Sequence, residues 1–166
     1  QHLRPQPIAV QKAELVDDEF HARFSAKKRW YEYKIINRRP PLTIDVNRAW
    51  CVYKNLDIEK MKNESSSFLG KHDLNAFRSA HCQSKNSTKT IDSVSINNKD
   101  EQIIIEISAK SFLHSQVRIM VGTLVDIAKG NINKTIIDII NSKNREVAGQ
   151  TAPANGLYLK KIDYSS

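Results

Sequence analysis

Cysteine is scarce in this chain: Cys51 and Cys82 are the only two in 166 residues, and they stand in unrelated contexts. That excludes a disulfide framework and fits a reducing cytoplasm, the location expected from the sequence. Glycine and proline number five each, with no glycine-rich phosphate loop among them, so neither an NTP nor a dinucleotide cofactor is expected. His21, His72, His81 and His114 lack metal-ligand spacing, which argues against a zinc site. No Gly-x-Ser-x-Gly elbow supports a nucleophilic serine. Apolar runs are as short as Ile103 to Ile105, far below the roughly 20 residues of a membrane span, so no membrane partner is expected. Gln1 to Val10 contain no apolar stretch of the secretory kind.

What is abundant is positive charge. The formal net charge is +8, and residues 20 to 39 hold seven Lys/Arg against a single acid, Glu32. Such an excess favours a polyanionic partner. In FHARFSAKKRWYEYKIIN, Phe20 to Asn37, the basic run feeds into an aromatic, alternating segment. In a strand, Tyr31, Tyr33 and Ile35 point one way while Trp30, Glu32 and Lys34 point the other. This surface has two readings. Cations can hold phosphates while a ring meets an unstacked base, or the segment is a half-buried strand with a solvated basic flank.

The remaining pattern predicts an α+β fold, a mostly antiparallel sheet with helices packed on one face. Strands are expected at Ile8 to Val16, Trp30 to Asn37, Val46 to Tyr53 and Leu157 to Tyr164. Thr90 to Ile96 and Gln102 to Ala109 form a hairpin across Asn97-Asn98-Lys99-Asp100. Asn55 or Asp57 caps a helix running to about Leu69, stopped by Gly70. The clearest helix spans about Ser115 to Lys129, with Val117, Met120, Val121, Leu124, Val125 and Ala128 at helical spacing and Gly130 as its end. Asn133 can cap a further helix, Lys134 to Asn141.

Arg118 lies about 100° round from Val117, at the edge of the apolar stripe. There it either snorkels to solvent or reaches a carboxylate or phosphate with its planar fork. Gly122 lies one turn on and leaves space beside it. Asp17-Asp18-Glu19 offers paired carboxylates or simply a solvated strand end. Arg78, Lys85 and Lys89 make Phe77 to Lys89 a second basic element, either an exposed mobile loop or an RNA contact.

Taken in series, four segments resemble the tRNA pseudouridine synthase A family. They are FHARFSAKKRWYEY with its Arg29-Trp30-Tyr31-Glu32-Tyr33 core, Asp73 to Arg78, FLHSQVRIMVGTLVDIAKG at 112 to 130, and TAPANGLYLKKIDY at 151 to 164. The resemblance implies isomerisation of uridine to pseudouridine in the tRNA anticodon stem-loop, by a homodimer. It also implies that Tyr31 packs on the uracil and that Arg118 pairs with a catalytic aspartate. The basic residues Arg23, Lys27, Lys28, Arg29, Arg78 and Lys85 are the expected RNA contacts. One departure matters: the Arg-Thr-Asp-x-Gly-Val-His motif that carries that family's nucleophile is absent, and none of the ten aspartates has its context. Residues 1–166 are therefore expected to form the C-terminal domain of a longer synthase, inactive alone. The rival expectation is a non-catalytic RNA-binding or dimerisation module.

Overall fold

From Tyr31 to Ile35 every second side chain is aromatic or aliphatic, and the segment around it becomes the strand on which the sheet is built. The computed structural model describes residues 6–164. Its elements in chain order are β1 (Lys28–Asn37), β2 (Trp50–Val52), α1 (Ile58–Ser65), β3 (Gly70–Asp73), β4 (Thr88–Lys99), β5 (Gln102–Ala109), α2 (Gln116–Ala128), α3 (Ile136–Ser142) and β6 (Leu157–Asp163). They make a six-stranded sheet ordered β2-β1-β5-β4-β3, with β6 also paired to β1. Only the short β1–β2 pairing is parallel; every other ladder is antiparallel.

The register puts Tyr33 opposite Ile105 and Ile35 opposite Ile103, and Ile96 of β4 opposite Ile105. These side chains share one buried face with Met61 of α1, Val117, Met120 and Leu124 of α2, and Ile139 of α3. Each such side chain contributes about 2 kcal/mol on burial, so this layer supplies most of the folding drive. The opposite face carries charge in pairs. Lys160 bridges Glu32 and Glu106, Lys34 meets Asp45 at 2.7 Å, and Lys28 meets Asp92 at 3.0 Å.

The α2 helix is embedded rather than one-sided. From Gln116 to Ile127, Arg118 is the one residue that is not buried. The sheet and α1 cover one side, and the segment 148–153 covers the other. Gly122 permits this: a Cβ there would lie 1.9 Å from the Gln150 carbonyl oxygen. The space beside Gly122 is thus filled by backbone. Thr123 Oγ1 accepts from the Gly149 amide at 2.9 Å, and the Asp126 carboxylate accepts from the Gln150 amide at 3.0 Å.

Several sequence expectations are corrected. Ile8 to Val16 is no strand: residues 6–16 are exposed and have no ladder partner among the described residues. The Val46 to Tyr53 strand shrinks to Trp50–Val52, where the parallel pairing with β1 ends. Asp57 caps α1, which stops at Ser65, and a 3-10 turn completes the run. Gly70, at φ 94°, opens β3, a strand that its polar sequence GKHD concealed. The α3 cap is Thr135 in a reciprocal box with Asp138, two residues beyond Asn133.

Replacing Gly122 by alanine is expected to remove about 2 kcal/mol of stability, although alanine favours a helix by ~1 kcal/mol. A lower urea midpoint at constant m would record it.

Candidate active-site cleft

Tyr31 precedes Tyr33 by one strand repeat on the same face of β1, opposite Ile107. Tyr33 is fully buried whereas Tyr31 is half-exposed, because the covering helices end here and a cleft of about 1080 Å³ opens. Phe112 meets the Tyr31 ring edge-on, 5.3 Å between centroids and 84° between planes, which fixes the ring's attitude. Loops from three parts of the chain wall the cleft. They bring Arg23 and Lys110 together with Phe24, His81 and His114, beside Arg29 of β1 and Lys89 of β4, and no carboxylate lines it among the described residues. A concave site of one charge sign concentrates anions.

The sequence-predicted residues separate in space. Arg23 is exposed at the cleft wall with its guanidinium 5.6 Å from the Phe24 ring centroid. Arg29 also lines the cleft, but its two terminal nitrogens donate to the Lys110 and Arg23 carbonyls, tying two walls together. Arg78 donates to the Ser84 carbonyl at 3.2 Å and closes its own loop, on which Lys85 is exposed outside the lining. Lys27 is exposed nearby, also outside the lining. Lys28 lies on the other sheet face, paired with Asp92 and 5.2 Å from the Trp30 ring centroid, which Lys161 approaches to 4.9 Å. Lys110, His114 and Phe112 were not among the sequence candidates. They stand just before α2, and only the closing of the 110–115 loop over β1 brings them to Tyr31.

Arg118 is not in the cleft lining. Its Nε donates to the Ala152 carbonyl at 2.7 Å, and its own carbonyl accepts from the Ala152 amide at 3.1 Å. None of the ion pairs among the described residues involves it. Its charge reaches Tyr33: burial pushes that phenol well above its usual range, and Arg118 opposes the rise. Burial alone would also raise the Cys82 thiol, but the His114 and Ser84 backbone and the charges of Arg78 and Lys89 outweigh it and hold the thiol below its ordinary value. Among the described residues no three His, Cys, Asp or Glu side chains gather as a metal site. No described helix is long and apolar enough to cross a membrane.

An exposed aromatic ring thus stands in a cleft lined by cations, with Arg118 outside its lining, an arrangement that suits a polyanion. Comparison with known proteins agrees in kind. A family model described as tRNA pseudouridine synthase matches residues 65–165. The tRNA pseudouridine synthase A of Ehrlichia chaffeensis is 55% identical over 164 residues, 98% of this chain and 67% of that protein. Its counterparts in Anaplasma phagocytophilum and Wolbachia pipientis wMel are each 51% identical over the same shares. The relatives are isomerases by name, and the parent of this chain is an enzyme of that kind: the chain belongs to the tRNA pseudouridine synthase family.

Proposed function

We propose that this chain supplies the uracil-holding ring and the orienting cation of a synthase that isomerises uridine in the tRNA anticodon stem-loop. In this reading residues 1–166 are its C-terminal domain, and the attacking carboxylate comes from residues outside the chain. The observation that carries the reading is Arg118: a half-buried arginine, tethered by Nε, with no carboxylate partner among the described residues. Its terminal nitrogens enter no ion pair among those residues, so they can take a carboxylate in a forked, charge-assisted contact.

The chemistry then divides between the two parts. A carboxylate facing C1′ of the ribose starts cleavage of the bond from C1′ to N1. The freed uracil turns against Tyr31, and C5 bonds to C1′ as the carboxylate is released from it, while the C5 proton leaves and N1 regains one. Atoms and charge balance, so no cofactor is called for. Tyr31 suits the task because the edge of Phe112 holds its ring while one side stays open to the cleft. Arg23, Lys89 and Lys110 suit the phosphates on either side of a splayed nucleotide. The exposed apolar run of Ile8, Val10, Leu15 and Val16 supports an interface with further protein, a second copy of the parent enzyme in this reading.

Incubated with unmodified tRNA, the chain alone is expected to form no pseudouridine; product in the anticodon arm would sink the division of labour. In the parent enzyme, Arg118→Ala and Tyr31→Ala are each expected to lower kcat on the order of 100-fold or more, with RNA affinity changed far less. Single-turnover rates beside filter-binding titrations measure both quantities. Removing Arg23 and Lys27 should flatten the dependence of log Kd on log salt by roughly one for each cation withdrawn from a phosphate, and Lys28→Ala by less, since Asp92 already neutralises that lysine.

A further inference from the structure

Tyr33 has no part in the reaction as described, yet its hydroxyl is placed with more constraint than packing requires. The residue is fully buried, and its hydroxyl donates to the Pro153 carbonyl at 2.6 Å. The adjacent carbonyl, that of Ala152, accepts from Arg118 Nε at 2.7 Å. Two successive carbonyls of one segment are therefore gripped from opposite sides, by the sheet and by α2. The Ala152 amide completes the link by donating to the Arg118 carbonyl at 3.1 Å.

The ring has no room to move. Trp50 meets it edge-on at 6.3 Å, and a Cβ on Gly156 would lie 2.7 Å from its Cε1 and Cζ. Phenylalanine would fill the same space, so the packing alone does not call for a hydroxyl. What the hydroxyl adds is a fixed direction for the Pro153 carbonyl and, across Pro153, whose ring fixes φ, a restraint on the Ala152 oxygen. The phenol is neutral at physiological pH and burial raises it further, so its proton is there to be donated to the carbonyl.

We propose that Tyr33 is a positioning residue for Arg118, its hydroxyl holding the Pro153 carbonyl and, through the Pro153 backbone, the neighbouring Ala152 carbonyl that sets the guanidinium. The proposal rests on the role assigned above to Arg118. Its test is Tyr33→Phe in the parent enzyme, read in two ways. Kinetically, kcat is expected to fall on the order of 10- to 100-fold while KM for tRNA stays within about twofold, the pattern of a misplaced group rather than a missing binding contact. By NMR, the Arg118 Nε–H is expected to exchange faster with solvent, while amides in the β4–β5 ladder keep their protection. Should Tyr33→Phe fail to fold, Gly156→Ala displaces the same ring with its hydroxyl retained and carries the same two expectations. Unchanged Nε–H exchange, or an unchanged kcat where Arg118→Ala is inactive, would overturn the proposal. A parallel rise in KM with the loss of kcat would do so too. Full turnover by Arg118→Ala would instead remove the catalytic role of Arg118, leaving the exchange measurement to decide the structural link.

Discussion

The placement of Arg118 depends on how closely the segment 149–153 lies against α2. Backbone can meet a helix at that distance only where a side chain is missing, and Gly122 is that place: a Cβ there would overlap the Gln150 carbonyl at 1.9 Å. Gly149 repeats the condition from the other partner, since its own Cβ would lie 2.6 Å from the Thr123 Cα. Hydrogen bonds accepted by Thr123 and Asp126 and donated by Arg118 then hold the segment in register with the helix. The result is a helix buried almost all round, with a single arginine left at the boundary. A buried helix interior is an unfavourable place for a cation, and Arg118 is tolerated because its Nε has a carbonyl partner and its tip does not enter the core.

The two sheet faces divide the electrostatic work. On the outer face each cation of Lys28, Lys34 and Lys160 has a carboxylate at hand, so the face is close to neutral in spite of its lysines. On the cleft side Arg23, Lys89 and Lys110 stand with no carboxylate in the lining. The excess charge of the chain is thus concentrated where the ring of Tyr31 is exposed. Alternation along β1 makes this possible, because neighbouring residues of one basic run are sent to opposite faces.

Much of the fold was legible in the sequence, for identifiable reasons. The periodicity of Val117, Met120, Val121 and Leu124 announced α2, and Gly130 its end; the hairpin pattern of Thr90 to Ile96 and Gln102 to Ala109 announced β4 and β5. The elements that escaped were those whose order comes from partners. GKHD has no strand character of its own and becomes β3 by pairing with β4. Ile8 to Val16 has the character and no ladder partner among the described residues. The same holds at the site. Tyr31 and Arg118 were visible as a strand aromatic and a stripe-edge arginine. Lys28 and Arg29 were read as equivalent to Lys27 because a sequence does not display the Asp92 carboxylate or the Lys110 and Arg23 carbonyls that engage them.

By itself the sequence determined the fold class, the positions of β1, β5 and α2, and the family, because hydrophobic periodicity and a series of motifs are written in local residue order. Only tertiary structure decided which of the basic residues face the cleft, that Phe112 stands against Tyr31, and that Arg118 is tethered through Ala152. Those depend on contacts between residues far apart in the chain, Tyr31 with Phe112, Tyr33 with Pro153 and Arg118 with Ala152. No local pattern encodes such distances; the packing of α2 and its covering segment against one sheet face sets them.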